Sequence, residues 1–296
     1  MKKIAHLFRC MLTIVSPKLN TYICYFVKFK RTLNLSHPKT LNEKILWLKF
    51  NTYWNNPLVK LCADKLSVRY YVKGCGLANI LNPLLGVYNC AEEIDWEKLP
   101  NQFAIKYNVG CGKNIIVKDK TNLDIQFISK TMNEWFKSKD YLPYSEMQYK
   151  DVHPYILIEE YIAGPTKDTA PIDYKVYCFH GKAIYLMACC GRESQHATYY
   201  FFDSQWNLCR INKAGKMAPA NFSMPKPAHL NNLLMAAERL SSPFPFVRAD
   251  FYDSKDKIMF GELTFTPGGA MDQNLPHETD ISLGNMIQLS QMRTNL

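Results

Sequence analysis

Apolar residues change their spacing partway along the chain. Between residues 34 and 100 they recur at helical intervals. "SHPKTLNEKILWLKF" sets Thr40 and Glu43 at the separation of a capping box, with Ile45, Leu46, Leu48 and Phe50 following, which predicts a helix from about residue 41. "NPLVKLCADKLSVRYYVKGCG" places Pro57 at an early helical position and glycines after Val72, a start and a stop. "LANILNPLLGVY" then breaks at Pro83. From about residue 102 the period shortens. "FAIKYNV" and "IIVKD" read as strands around a "GCGKN" turn, "LDIQFISKTMNEWF" as a helix and "YILIEEYI" as a strand. "DYKVYCFHGKAIYLMACCGRE" reads as two strands joined near His180 and Gly181, "HATYYFFDSQW" as another strand and turn, and "HLNNLLMAAERLSS" as a helix. Residues 246–252 and 258–265 form a hairpin, and "ISLGNMIQLSQM" a closing helix. A helical stretch followed by antiparallel hairpins predicts an α+β protein.

The last hairpin raises a chemical question. Side chains alternate along a strand, so Arg248, Asp250 and Tyr252 share one face, and Phe260, Glu262 and Thr264 share another. With the turn centred near Asp256, Asp250 lies opposite Glu262 and Arg248 opposite Thr264, with Cβ atoms about 5 Å apart. Two facing carboxylates repel unless a cation neutralises them. Mg²⁺ does so and leaves room for phosphate oxygens.

Three other stretches carry compatible chemistry. Lys106 precedes the Gly110–Cys111–Gly112 turn, where glycines let backbone N–H groups approach phosphate and the lysine supplies charge. A Walker loop is absent. "YILIEEYI" ends an apolar strand on Glu159 and Glu160, followed by Tyr161 and Ile162, which suits an amine or ribose hydroxyl and an adenine edge. Asp173 and Lys175 share a strand face and Arg192 follows the next strand, a set suited to polyphosphate. Taken singly, each fits a solvated surface better than a site.

Their order along the chain is more informative. "HPKTLNEKILWLK", "NPLVKLCADK", "PLLGVY", "LPNQFAIKYNVGCGKNIIVKDK", "DYKVYCFHGK", "FPFVRADFY" and "FGELTFTPGG" resemble the TupA-like ATP-grasp proteins of teichuronopeptide and capsular polysaccharide synthesis, over about residues 36–270. The resemblance implies two α+β lobes enclosing ATP behind a helical N-terminal region: residues 1–100 mainly helical, 101–165 the first lobe with its glycine flap, 166–296 the second with a magnesium hairpin. It implies that Lys106 and Lys175 bind ATP phosphates and that Gly110, Cys111 and Gly112 form the flap. Glu159 and the backbone of Glu160, Tyr161 and Ile162 would hold adenosine. Arg192, Arg248 and Lys175 would serve catalysis, and Asp250, Glu262 and Thr264 would hold Mg²⁺. The superfamily's usual asparagine two residues after the last glutamate is Thr264 here. The implied activity is ADP-forming carboxylate–amine ligation through an acyl phosphate, joining an amino acid to a uronic acid of a surface glycan or its precursor. A glycosyltransferase-like protein or a nucleotide-binding scaffold of the capsule or O-antigen machinery is the alternative. The absence of a DxD triplet counts against metal-dependent sugar transfer.

Charge and cysteine content add a location. The 296 residues carry a net charge of +10, and residues 1–60 hold all of the excess, with Glu43 their single acid. That suits a polyanionic or membrane-bound substrate, and nucleic acid is not among the expected partners. "YICYFVKFKR" interleaves basic and aromatic residues yet is too short to span a bilayer. Two readings stand for residues 1–33: a segment lying on an anionic membrane surface, or a helix packed on the body. The 10 cysteines form no CxxC pair, and Cys178, Cys189 and Cys190 sit in apolar runs. No disulfide framework is suggested, so the expected compartment is the reducing cytoplasm, with a peripheral position at the inner membrane face.

Overall fold

The computed structural model describes residues 2–164, 171–190 and 197–289. The chain opens with two helices, α1 (Lys2–Val15) and α2 (Pro17–Phe29), joined at Ser16, whose hydroxyl caps α2 by accepting from Leu19 N at 3.2 Å. Helix α3 (Leu41–Leu48) starts as its sequence requires: Glu43 N donates to Thr40 Oγ1 at 3.1 Å and Thr40 N donates back to Glu43 Oε2 at 3.1 Å. It runs on into a wider π turn, Lys49–Tyr53.

The apolar run beginning at Pro57 is two helices rather than one, α4 (Pro57–Ala63) and α5 (Val68–Gly74). Asp64 ends the first. Its backbone is extended, and its carboxylate accepts from Leu66 N at 2.9 Å, Ser67 Oγ at 2.5 Å and Asn108 Nδ2 at 2.8 Å. An aspartate that captures nearby backbone and hydroxyl donors competes with helix continuation. The stretch read as helical also holds a strand, β1 (Leu84–Tyr88), beginning just after Pro83.

Two antiparallel sheets carry the rest. The first contains β1, β2 (Phe103–Tyr107), β3 (Asn114–Val117) and β4 (Ile156–Glu160) in the order β1-β4-β2-β3. Helix α6 (Ile125–Lys137) covers one face, its Ile128 and Met132 packing with Phe103, Ile105 and Ile158. The second contains β5 (Asp173–Phe179), β6 (Lys182–Cys190), β7 (Thr198–Phe202), β8 (Leu208–Cys209), β9 (Phe246–Asp253) and β10 (Ile258–Thr264), in the order β10-β9-β5-β6-β7-β8. A short helix, α7 (Lys213–Met217), follows β8, and α8 (Leu230–Ser241) backs β5, β6 and β9. Leu233, Ala237 and Leu240 of α8 are completely buried. Burying a large aliphatic side chain of this kind contributes roughly 1.5–3 kcal/mol. The same core takes in α3, α4 and α5, so the helical region and the second sheet share one interior.

The closing helix is displaced from its expected place. Helix α9 (His277–Gly284) begins earlier than "ISLGNMIQLSQM" and ends at a glycine pressed on the start of α3. A Cβ at Gly284 would sit 2.2 Å from Lys39 O.

Candidate active site

The floor of the site is built by β5, β9 and β10. Glu262 pairs with Asp250 and Thr264 with Arg248, the register expected from the sequence. The face assignment of Phe260 differs. A bulge between Phe260 and Glu262 inserts Gly261, so Phe260 lies opposite Phe251 in the core while Glu262 and Thr264 turn to the cleft. The glycine is required there: a Cβ at Gly261 would come 2.9 Å from Asp250 O.

On that floor the charges interlock. Arg248 grips Asp250 with two bonds, Nε to Oδ1 at 2.7 Å and Nη2 to Oδ2 at 2.6 Å. Lys175, opposite Asp250 on β5, donates to Asp250 Oδ2 at 2.5 Å and pairs with Asp173 Oδ2 at 2.6 Å. Glu262 meets Arg248 Nη2 and Lys65 Nζ, both at 3.5 Å. The Thr264 hydroxyl donates to Glu262 Oε1 at 2.9 Å and accepts from Arg248 Nη2 at 3.1 Å. Burial opposes ionisation of Glu262, but Lys65, Arg248 and Lys175 outweigh it and hold the carboxyl down at about 2. Burial likewise disfavours charge on Lys175, and Asp250 and Asp173 overcome it, so the ammonium is held above its ordinary range. Lys175 and Arg248 are therefore charged at neutral pH.

The flap lies above. Gly110 and Gly112 both have φ near +75°, at 74° and 77°, where only glycine sits without strain. Asn108 anchors the loop: it is fully buried, donates to Asp64 Oδ1 at 2.8 Å and accepts from Tyr155 N at 2.7 Å. Lys65 ties flap to floor, donating to Gly110 O at 2.5 Å while facing Glu262. Cys111 is exposed at the tip.

On the first sheet, Lys106 Nζ meets Glu159 Oε2 at 2.6 Å. Arg69 Nη1 lies 3.5 Å from the other oxygen of Glu159, and Asn82 Nδ2 donates to Oε2 at 3.3 Å. Glu159 is thus a buried anchor that fixes Lys106, while Glu160, Tyr161 and Ile162 line an adjoining pocket.

Three spaces lie in a row. A charged cleft of about 360 Å³ contains Lys65, Lys106, Lys175, Arg248, Asp250 and Glu262. At one side it shares Lys106, Asn114 and Tyr252 with an apolar pocket of about 280 Å³ bordered by Ala104, Ile116 and the 160–162 strand end. At the other it shares Lys175 and Arg248 with a pocket of about 210 Å³ lined by Tyr199, Phe201, Asn212, Gly268, Asp272 and Asn274.

Asp250 and Glu262 are the facing carboxylates of the cleft that could hold a divalent cation, and both Asp250 oxygens accept from Arg248 and Lys175. Among the described residues no group of three or more His, Cys, Asp or Glu could hold a metal alone, so phosphate oxygens and water would complete the shell. Arg192 lies outside the described residues. Sequence reasoning assigned no role to Lys65, Arg69, Asn82 or Lys113. Lys65 and Lys113 line the cleft, and Lys113 pairs with Asp140 beneath the flap. "CADK" and "LNPLLGVY" carried the first and third of them, but nothing local signals that they converge with residues far along the chain.

Two antiparallel sheets closing on a cleft of lysines, an arginine and paired carboxylates define an ATP-grasp fold. The chain belongs to the TupA-like ATP-grasp family, whose model matches residues 43–288. Solved structures of similar fold include the ligase PsnB complexed with minimal precursor (11% identity, 79% of this chain and 62% of that one, TM-score 0.41). Another is the D-alanine–D-alanine ligase of Bacillus anthracis complexed with ATP (15% identity, 77% and 65%, TM-score 0.46). The chain spans less than two thirds of the length of both. No curated protein matches it.

Proposed function

We propose that the protein is an ATP-dependent carboxylate–amine ligase acting in surface polysaccharide synthesis. The observation that carries this reading is the row of three spaces, apolar, cationic and polar-aromatic, with Lys175 and Arg248 shared between the last two. The apolar pocket suits adenine against the Glu160–Tyr161–Ile162 strand end. The cationic cleft suits the triphosphate under the Gly110–Cys111–Gly112 flap. The third pocket suits a polar acceptor such as a uronic acid, with tyrosine and phenylalanine faces for the sugar ring and asparagine and aspartate for its hydroxyls.

The chemistry follows from the charges. An acceptor carboxylate needs no general base to attack the γ-phosphorus; it needs its repulsion from phosphate screened. Lys175 and Arg248 stand where acceptor and phosphate would meet, already charged and held by Asp173, Asp250 and Glu262. Lys106, fixed by Glu159, and Lys65 neutralise the other phosphates. Asp250, Glu262 and the Thr264 hydroxyl would hold Mg²⁺, which supplies charge compensation on the β,γ-phosphates when bound. The carboxylate oxygen bonds to phosphorus as ADP leaves. An amino acid nitrogen then bonds to the acyl carbon, phosphate leaves and one proton is released. The setting we assign is the cytoplasmic face of a membrane, with residues 1–33 as the attachment. Hydroxylamine supplied in place of the amino acid tests the reading. A hydroxamate formed with stoichiometric ADP supports it, and product formed from a sugar nucleotide with release of UDP or CMP and no ATP consumption overturns it.

A further inference from the structure

Polar residues form much of the seam between the two N-terminal helices and the body. Thr13, Asn20 and Thr21 are buried and form the seam with the body. Thr13 Oγ1 donates to Leu142 O at 2.6 Å, Asn20 Nδ2 to Pro143 O and Ser145 Oγ, both at 3.1 Å, and Lys49 Nζ to Thr21 Oγ1 at 3.2 Å. Cys24 and Tyr25 of α2 are buried beside them, but most apolar residues of the two helices point elsewhere. On α1, Ile4, Leu7, Phe8, Met11 and Ile14 recur every three or four residues, and each is more than half exposed. On α2, Leu19, Tyr22, Phe26 and Val27 are exposed at similar spacing, Phe26 and Val27 by more than half. Thr13 of α1 and Asn20 of α2 close on the same 142–145 segment, so the opposite faces of both helices turn away from the body. More than half of the large exposed apolar side chains among the described residues lie on these two helices. An apolar surface of this extent marks an interaction site.

Charge identifies the occupant. Residues 1–42 contain no aspartate or glutamate, and Lys3, Lys18, Lys30 and Arg31 are exposed. A second copy of this chain would set like charge against like charge. No helix among the described residues is long and apolar enough to cross a membrane. An apolar helical stripe flanked by exposed cations is the chemistry of a helix lying in the interface of an anionic bilayer. We propose that residues 2–29 are an interfacial anchor. The outward stripes of α1 and α2 seat among lipid headgroups, with Lys3, Lys18, Lys30 and Arg31 on lipid phosphates. The seam relays that orientation to the cleft. The segment 142–145 leads into Glu146, which accepts from Thr266 Oγ1 at 2.6 Å beside the Pro267–Gly268 wall of the third pocket. Docking therefore fixes that pocket relative to the lipid surface.

This deepens the location proposed above and is independent of the ligation chemistry. A chain that bound vesicles but activated no carboxylate would keep this inference and lose the other. The test is co-sedimentation of the full chain with phosphatidylcholine vesicles carrying roughly one part in three phosphatidylserine, and with phosphatidylcholine alone. Binding to the anionic vesicles that weakens with salt is expected. The doubly substituted Leu7→Asp, Met11→Asp chain should bind about tenfold more weakly or worse. Its melting temperature and ATP affinity should be unchanged, because both positions face outward. Absence of wild-type binding, or equal binding by the substituted chain, overturns the proposal. So does light scattering in which those substitutions convert a dimer to a monomer while vesicle binding persists.

Discussion

Asp250 and Glu262 face each other across one hairpin, yet their surroundings assign them different loads. Asp250 is buried and holds two cations, so Asp250→Asn leaves Arg248 and Lys175 short of a counter-charge. Breaking such a pair costs about 3 kcal/mol, which denaturant titration should show, together with loss of turnover. Glu262 is partly exposed, at 28% of its side chain, and Glu262→Gln should lose turnover and cost less stability than Asp250→Asn, about 1–2 kcal/mol once solvent screening is allowed for. A pH series separates the pair further. The Glu262 carboxyl, ordinarily near 4.5, is lowered to about 2 in the folded chain. Its stabilising contribution is present above pH 4.5 and is lost as pH falls toward 2, because the unfolded chain takes up the proton first. Urea midpoints should therefore fall less steeply across that window in Glu262→Gln than in the wild type. A steeper fall in the variant would contradict the assignment. These two acids were legible in the sequence because strand alternation places polar residues on one face. Lys65 was not: its partner Glu262 is brought to it only by tertiary folding.

The elements show where local rules hold and where they yield. The capping box at Thr40 and Glu43 and the His180–Gly181 turn are local chemistry, and both appear as read. The break at Asp64 combines local donors, Leu66 N and Ser67 Oγ, with Asn108 from far along the chain, and the apolar spacing alone made the run from Pro57 read as continuous. The β10 bulge was invisible because an inserted Gly261 is defined only against β9. That glycine carries a prediction. Gly261→Ala drives a methyl toward Asp250 O, 2.9 Å away in backbone that cannot yield cheaply. A cost of about 1–3 kcal/mol is expected from overpacking. Glu262 should also shift in the cleft, read as weakened Mg²⁺-dependent ATP binding in calorimetry. Unchanged stability and binding would show that the bulge does not set the carboxylate. At the π turn after α3, burial pushes the Lys49 ammonium down to about 8, with Glu146 partly opposing. The folded chain disfavours that charge, so wild-type stability should rise from pH 8 toward 10 relative to Lys49→Met. Parallel curves for the two proteins would remove Lys49 as the cause.

At the scale of the whole molecule, the first sheet supplies Lys106 and the apolar pocket, the second supplies the charged floor, and the helical region supplies Lys65 and Arg69. The two-lobe arrangement was readable because the signature residues fall in order along the chain. The contribution of the helical region was not, because its cations sit on elements whose own patterns are ordinary. Lys106→Met should weaken ATP binding by about 2 kcal/mol, the scale of one bond to a charged phosphate. Calorimetry that returned wild-type affinity would take Lys106 out of the phosphate site. The central claim, that a carboxylate attacks ATP across Lys175 and Arg248, is tested most directly by oxygen transfer. With a uronic acid labelled with ¹⁸O in its carboxylate, an amino acid and Mg-ATP, the phosphate released on turnover should carry one labelled oxygen taken from the acid. Turnover that yields unlabelled phosphate, with both labelled oxygens kept in the product, would contradict it.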